Sequence, residues 1–202
     1  MSTLRKLMAA MLLIGSLQAN AQNLSEVFAK SYAAEKNANY TEAISVLNPT
    51  ANAKVYEVNL RLGWLHYSNK NYKESIAFYQ KAIVLKPMAT EPLWGLIYPL
   101  SSQENWVAVE QAYKDILKLD PKNSKANYYL GSIFFYRKDY TTAKKYLIEV
   151  VQLYPFDREA LILLGWSHFY LGNITEAKKI FEHVLNNKPD DSSALEGLSL
   201  IK

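Results

Sequence analysis

The chain has 202 residues, half of them apolar and 21% charged, with seven Gly, seven Pro and no Cys. The missing cysteine excludes disulfide staples, thiolate metal sites, a cysteine nucleophile and a lipid-accepting cysteine. The formal net charge of +4 falls to +2 once Arg5 and Lys6 are set aside, too little for the concentrated basic face of a nucleic-acid binder.

The first segment reads as an address. Arg5 and Lys6 give a positive start, Leu7 to Leu17 an apolar run of 11 residues, and Ala19-Asn20-Ala21 a small-x-small cleavage site. That is the layout of a secretory signal peptide over 1–21, and the run is too short to span a bilayer comfortably. Cleavage after Ala21 is expected, leaving residues 22–202 exported to a periplasm or secreted. The alternative is a retained N-terminal anchor. No stable membrane insertion is expected after cleavage.

From there on a period of 34 residues organises the chain. Pro87, Pro121, Pro155 and Pro189 are spaced by that interval, each at the end of an apolar run. Counting units from 1 to 34, Leu-Gly recurs at positions 7 and 8 as Leu62-Gly63, Leu130-Gly131 and Leu164-Gly165. Position 20 holds Ser75, Val109, Ala143 and Ala177, and position 24 holds Tyr79, Tyr113, Leu147 and Phe181. Two antiparallel helices of about 13 residues approach closely only where side chains are small, with larger apolar groups filling the space around that point. Proline at position 32 ends the second helix because it lacks the N–H a continuing helix needs.

This pattern resembles the tetratricopeptide repeat, and the resemblance covers roughly residues 24–202. It implies an all-α, right-handed superhelical solenoid of antiparallel hairpins. The expected units are 24–55, 56–89, 90–123, 124–157 and 158–191, with a capping helix over 192–202. The first unit carries Tyr40, Ala43 and Leu47 in register and closes early, at Asn48-Pro49. The third departs most: Pro99 falls inside its first helix and is expected to kink or break it, while Ile97 and Val109 replace the small contact residues. The family's Trp at position 4 is absent, replaced by Val27, Asn59, Leu93, Asn127 and Leu161. Asp190 and Asp191 are expected to cap the last helix.

The resemblance further implies a concave groove lined by the first helices, with positions 2, 5, 9, 12 and 13 facing it. Those positions hold Phe28 and Tyr32, then Glu57, Trp64 and Tyr67, then Glu91, Trp94 and Tyr98. They continue with Lys125, Tyr128, Phe135 and Tyr136, and end with Glu159, Trp166, Phe169 and Tyr170. Related units that clamp a terminal carboxylate use Lys, Arg and Asn there; here Arg61 and Lys125 are the nearby cations, so such a clamp is not expected. Aromatic rows suit a peptide or protein segment. Intramolecular packing is the competing explanation for many of the rings, and position 9 (Trp64, Tyr98, Trp166) separates the two best.

Catalytic chemistry is not written in the chain. His66, His168 and His183 are scattered, and no metalloprotease helix, nucleophile elbow or phosphate-binding glycine loop occurs. No cofactor or metal is expected. Lys144-Lys145 and Lys178-Lys179 read as solvated outer faces, and the sequons at Asn39 and Asn173 as turns. The expectation is a non-catalytic scaffold that captures a peptide or protein partner in the cell envelope, with no nucleic acid. The alternative is a homo-oligomer assembling through its terminal repeats.

Overall fold

A computed structural model of the chain describes residues 24–48 and 54–201. The signal segment expected over 1–21, and Pro49, lie outside the described residues. Among those described every regular element is a helix. The first, α1, is helical over 24–36. It is followed by α2 (Tyr40–Leu47), α3 (Tyr56–Ser68), α4 (Tyr72–Leu85), α5 (Glu91–Ser102), α6 (Trp106–Leu119), α7 (Ser124–Tyr136), α8 (Tyr140–Leu153), α9 (Arg158–Tyr170), α10 (Ile174–Asn187) and α11 (Ser192–Leu200). The fold is the all-α helical solenoid that the period implies. It divides between Gln103 and Glu104 into two compact units, so α5 closes the first unit and α6 opens the second.

The same chemistry starts most of these helices. Asn123, Asp157 and Asp191 precede α7, α9 and α11, and each side chain accepts from the backbone N–H three residues on, at 2.9–3.0 Å. Asn39, Asn105 and Asp139 do the same for α2, α6 and α8. Each cap satisfies one of the donors a helix start leaves orphaned. Ahead of the second helix of each pair, one residue turns left-handed: Ala38, Lys70, Glu104, Lys138 and Gly172 have φ of 55–76°. Only the last of these is the residue type that adopts such a φ without steric cost.

In the first unit the core gathers Ala34, Ala43, Ile44, Leu47, Val58, Leu62 and Leu65. Helices approach closely enough for serine hydroxyls to reach a neighbouring backbone. Ser75 donates to the Gly63 carbonyl at 2.7 Å, and Ser31 donates to the Ala43 carbonyl at 3.0 Å. Gly63 also faces the Tyr79 ring, where a Cβ would lie 2.8 Å from Cδ1, and Gly95 on α5 faces the same ring, where a Cβ would lie 2.5 Å from Cζ. Tyr79 is therefore clamped between two helices at their glycines, and burial raises its phenol pKa. Pro99 does not break α5. It stands in the last turn, so it forfeits one ladder bond near an end where the chain leaves the helix at Ser102. The Gln103 N–H closes that turn on the carbonyls of Pro99 and Leu100.

The second unit repeats the device with different sizes. Phe181 is fully buried between Gly165 on α9 and Gly197 on α11, and a Cβ at Gly165 would lie 2.7 Å from Cε1 of the ring. Leu147 packs against Gly131 in the same way, but the residue 16 positions downstream of it is Leu163 rather than glycine. Two core clusters result, one around Ala143, Leu147, Val150 and Leu164, the other around Leu161, Ala177, Phe181, Val184 and Ala194. Complete burial of such a side chain stabilises by about 1.5–3 kcal/mol, which is why the short helix α11 stays docked. Asp191 fastens it further: fully buried, it caps α11 and accepts from the Arg158 guanidinium of α9. Asp190 lies in the preceding turn and stays exposed.

The polar residues that stand where the family has Trp are built in rather than exposed. Asn59 and Asn127 are 2% exposed. Asn59 donates to the Val55 carbonyl at 2.8 Å, and Asn127 to the carbonyls of Pro121 and Asn123 at 3.1 and 3.0 Å. Both tie the first turn of their helix to the chain entering it.

Candidate functional site

In the first unit the inner rows of α1, α3 and α5 enclose a cleft of about 710 Å³. Phe28 and Tyr32 come from α1, Trp64 from α3, Trp94 and Tyr98 from α5, each a residue expected in the groove, and all five line this space. Tyr67 stands beside it, with its ring 5.8 Å from Trp64, 6.0 Å from Tyr72 and 5.5 Å from Tyr98. Trp64 is 41% and Tyr98 48% exposed, so these two keep much of their ring area in contact with solvent.

The charges of the cleft are largely spent on one another. Arg61 is buried; its Nη2 donates to Glu35 at 2.9 Å, its Nε donates to Ser31 at 3.1 Å, and its guanidinium lies 3.5 Å from the Tyr32 ring centroid. The second oxygen of Glu35 accepts from the Trp64 indole at 2.6 Å. Lys86 pairs with Glu57 at 2.9 Å and lies 4.1 Å over the Tyr56 ring. The hydrogen bond from Lys86 is the main cause holding the Glu57 carboxyl below its usual range. The Tyr56 hydroxyl donates to Glu91 at 3.1 Å, and burial together with that carboxylate pushes the phenol up to about 12. Arg61, expected as a nearby cation, is thus committed to Glu35 and Ser31. The residues that sequence reasoning passed over are Glu35 and Tyr56. Glu35 stands at groove position 12 of the first unit, where later units carry rings such as Tyr67, and its role depends on Arg61, 26 residues away.

The second unit keeps its aromatics in two places. Tyr128, with Lys125, Ser124, Tyr129 and Asp157, lines a smaller cleft of about 240 Å³, and burial raises the Tyr128 phenol pKa. Phe135, Tyr136, Tyr140 and Tyr170 form a ring cluster in which Tyr140 and Tyr170 stack at 4.6 Å. Tyr136 is its most exposed member at 75%. Trp166 departs from the expectation of a groove-facing ring. It is 9% exposed, edge-on to Phe181 at 5.2 Å and to Phe169 at 5.4 Å, and its indole N–H donates to Ser193 at 2.8 Å. The capping helix covers it, because α11 presents a short hydroxyl where the indole needs an acceptor. Outside these faces, Lys178 and Lys179 lie 3.9 and 3.4 Å from Glu182 and Glu176. Among the described residues, no group of side chains could hold a metal ion and no helix is long and apolar enough to cross a membrane.

Family models described as tetratricopeptide repeat match residues 56–89, 107–158 and 134–200. The chain belongs to the tetratricopeptide repeat family. Solved structures similar to this tetratricopeptide repeat chain agree on the fold. A tetratricopeptide repeat protein from Parabacteroides merdae is 19% identical, with a TM-score of 0.69, over 87% of this chain and 71% of that one. The MamA protein is 17% identical with a TM-score of 0.68, over 85% and 95%. YrrB, described as a tetratricopeptide repeat protein with an unusual peptide-binding site, is 14% identical with a TM-score of 0.67, over 93% and 97%. No curated protein matches the chain.

Proposed function

We propose that the chain is a non-catalytic scaffold that captures a peptide segment or a protein partner in the aromatic cleft of its first unit, in the cell envelope. The observation that carries this reading is the cleft itself: five aromatic side chains expected in the groove converge on one space of about 710 Å³. Rings of this kind offer large contact area for little side-chain entropy, and Trp and Tyr dominate binding hot spots. The internal pairing of Arg61 with Glu35, and of Lys86 with Glu57, positions the rings before any ligand arrives. Preorganisation of that sort lowers the cost of binding. The fold of this family supports a binding role, and YrrB is a related solenoid described as holding a peptide-binding site. Export rests on the pattern of residues 1–21.

Two experiments test the reading. Partner capture by the full chain, measured by calorimetry, is expected to fall at least tenfold for Trp64→Ala with Tyr98→Ala, with helicity unchanged by circular dichroism. Undiminished capture would move the site away from this cleft. Mass spectrometry of the chain recovered from its native host is expected to start at Gln22; a chain that retains Met1 in the cytoplasm removes the envelope from the proposal.

A further inference from the structure

Glu57 and Glu91 line the cleft of the first unit together with Arg61 and Lys86, while Glu35, outside the lining, is paired with Arg61. Glu35 is satisfied twice, by Arg61 and by Trp64, and Glu57 is paired with Lys86. Glu91 is different. It is exposed at the first residue of α5, and its hydrogen-bond partner is the neutral Tyr56 hydroxyl, which engages one carboxylate oxygen. Among the described residues it forms no ion pair, which makes it the one of these three carboxylates without an ion-pair partner. The cleft also places positive groups on ring faces twice over, Arg61 on Tyr32 and Lys86 on Tyr56. Its walls suit a cation that brings an apolar neighbour.

We infer that the occupant of this cleft is a peptide segment presenting a lysine or arginine beside an aromatic or apolar residue, with the basic group seated on Glu91. This rests on the capture reading above and specifies its ligand. A guanidinium or ammonium at Glu91 gains a charge-assisted hydrogen bond, stronger than a neutral one, and the surrounding aromatic surface adds cation–π attraction. An acidic segment meets the opposite condition, since like charges juxtaposed in an interface disfavour the wrong partner. With Arg61 and Lys86 already committed to Glu35 and Glu57, the cleft also differs from sites that hold a carboxylate.

The test is selection of a library of short random peptides on the full-length chain, followed by calorimetry on enriched sequences. Enrichment of Lys or Arg next to an aromatic or aliphatic residue is expected. Replacing the selected arginine by citrulline, its neutral isostere, is expected to weaken binding at least fivefold. On Glu91→Gln that penalty is expected to vanish, with the thermal transition unchanged and Glu91→Asp restoring part of the discrimination. Enriched peptides that are neutral or acidic, yet are lost on Trp64→Ala with Tyr98→Ala, overturn the charge assignment and leave the capture reading intact. A citrulline penalty that persists in Glu91→Gln overturns the role of Glu91. Failure to enrich any sequence overturns both the inference and the reading beneath it.

Discussion

Replacing Gly197 by Ala probes whether the Phe181 ring is held between two helices. A Cβ at that position would fall within 2.6 Å of Cζ, and the corresponding atom at Gly165 would fall 2.7 Å from Cε1 on the opposite edge. An exposed ring would swing aside, but this one is fully buried and also packs edge-on against Trp166. Overpacking of this kind costs about 1–3 kcal/mol, against a gain of about 1 kcal/mol from replacing glycine inside a helix. The net expectation for Gly197→Ala is a loss of about 1 kcal/mol. Phe181→Leu alone leaves a cavity worth roughly 1–2 kcal/mol. In the double variant the new methyl occupies space the ring has vacated, so the alanine should become neutral or favourable. The coupling between the two changes is expected to be about 1–3 kcal/mol. Urea unfolding followed by circular dichroism measures each loss, and hydrogen exchange of α9 to α11 locates it, since repeat arrays open in pieces. If Gly197→Ala stabilises outright, or costs the same with Phe and with Leu at 181, the clamp does not exist as described.

Other outcomes are expected. Lys138, at φ 64°, occupies the turn position where Gly172 stands in the next hairpin. Lys138→Gly should stabilise by about 1 kcal/mol and Gly172→Ala should destabilise by a similar amount, and equal thermal shifts of the same sign would refute this. Nothing lies within 4 Å of a Cβ at Gly172, so that measurement isolates the backbone. His66 and His168 each bury a ring Nδ1 without a hydrogen-bond partner, and desolvation holds both imidazoles below their ordinary pKa. Well above the ordinary value of about 6.5 they are neutral folded or unfolded and contribute nothing. As the pH falls below that value the unfolded chain takes up protons first, so stability should decline from about pH 7 to 5. His66→Gln with His168→Gln should flatten that slope in urea midpoints; an unchanged slope assigns it elsewhere. Burial alone would raise the Asp191 carboxyl, but the Ala194 amide and Arg158 outweigh it and hold the pKa below its ordinary value. Its stabilisation is therefore present above about pH 4 and lost as pH falls through the lower folded value. Asp191→Ala should cost about 1 kcal/mol through the cap alone, and Asp191→Asn less because Asn also caps. Equal melting temperatures for the two variants would contradict the capping role.

The architecture was legible because small and large residues recur in phase within one hairpin: Gly63 with Tyr79, Gly131 with Leu147, Gly165 with Phe181. What escaped reading was the partner supplied by the following hairpin. Gly95 and Gly197 lie 16 residues after Tyr79 and Phe181, and a column comparison across units does not pair positions at that separation. The signal was present all the same, since Leu147 is followed at that spacing by Leu163. Five of the residues expected in the groove line one cleft in the first unit. Trp166 shares the register of Trp64 but not its exposure, because its environment is decided by Ser193 on the capping helix. Position within a repeat fixes direction, and only the neighbour fixes exposure. A kink or break is the expectation at Pro99 because its distance from the helix end, three residues, is not visible in the sequence.

The clamped rings carry a consequence for how such a chain can be rearranged. Where the ring of Tyr79 or Phe181 meets the next helix, a glycine stands sixteen residues on; where Tyr113 or Leu147 holds that place, the successor brings Tyr129 or Leu163. Hairpins are consequently not interchangeable beads. Duplicating or transplanting one succeeds only beside a neighbour of matching shape, so the order of the repeats is itself an inherited property of the molecule.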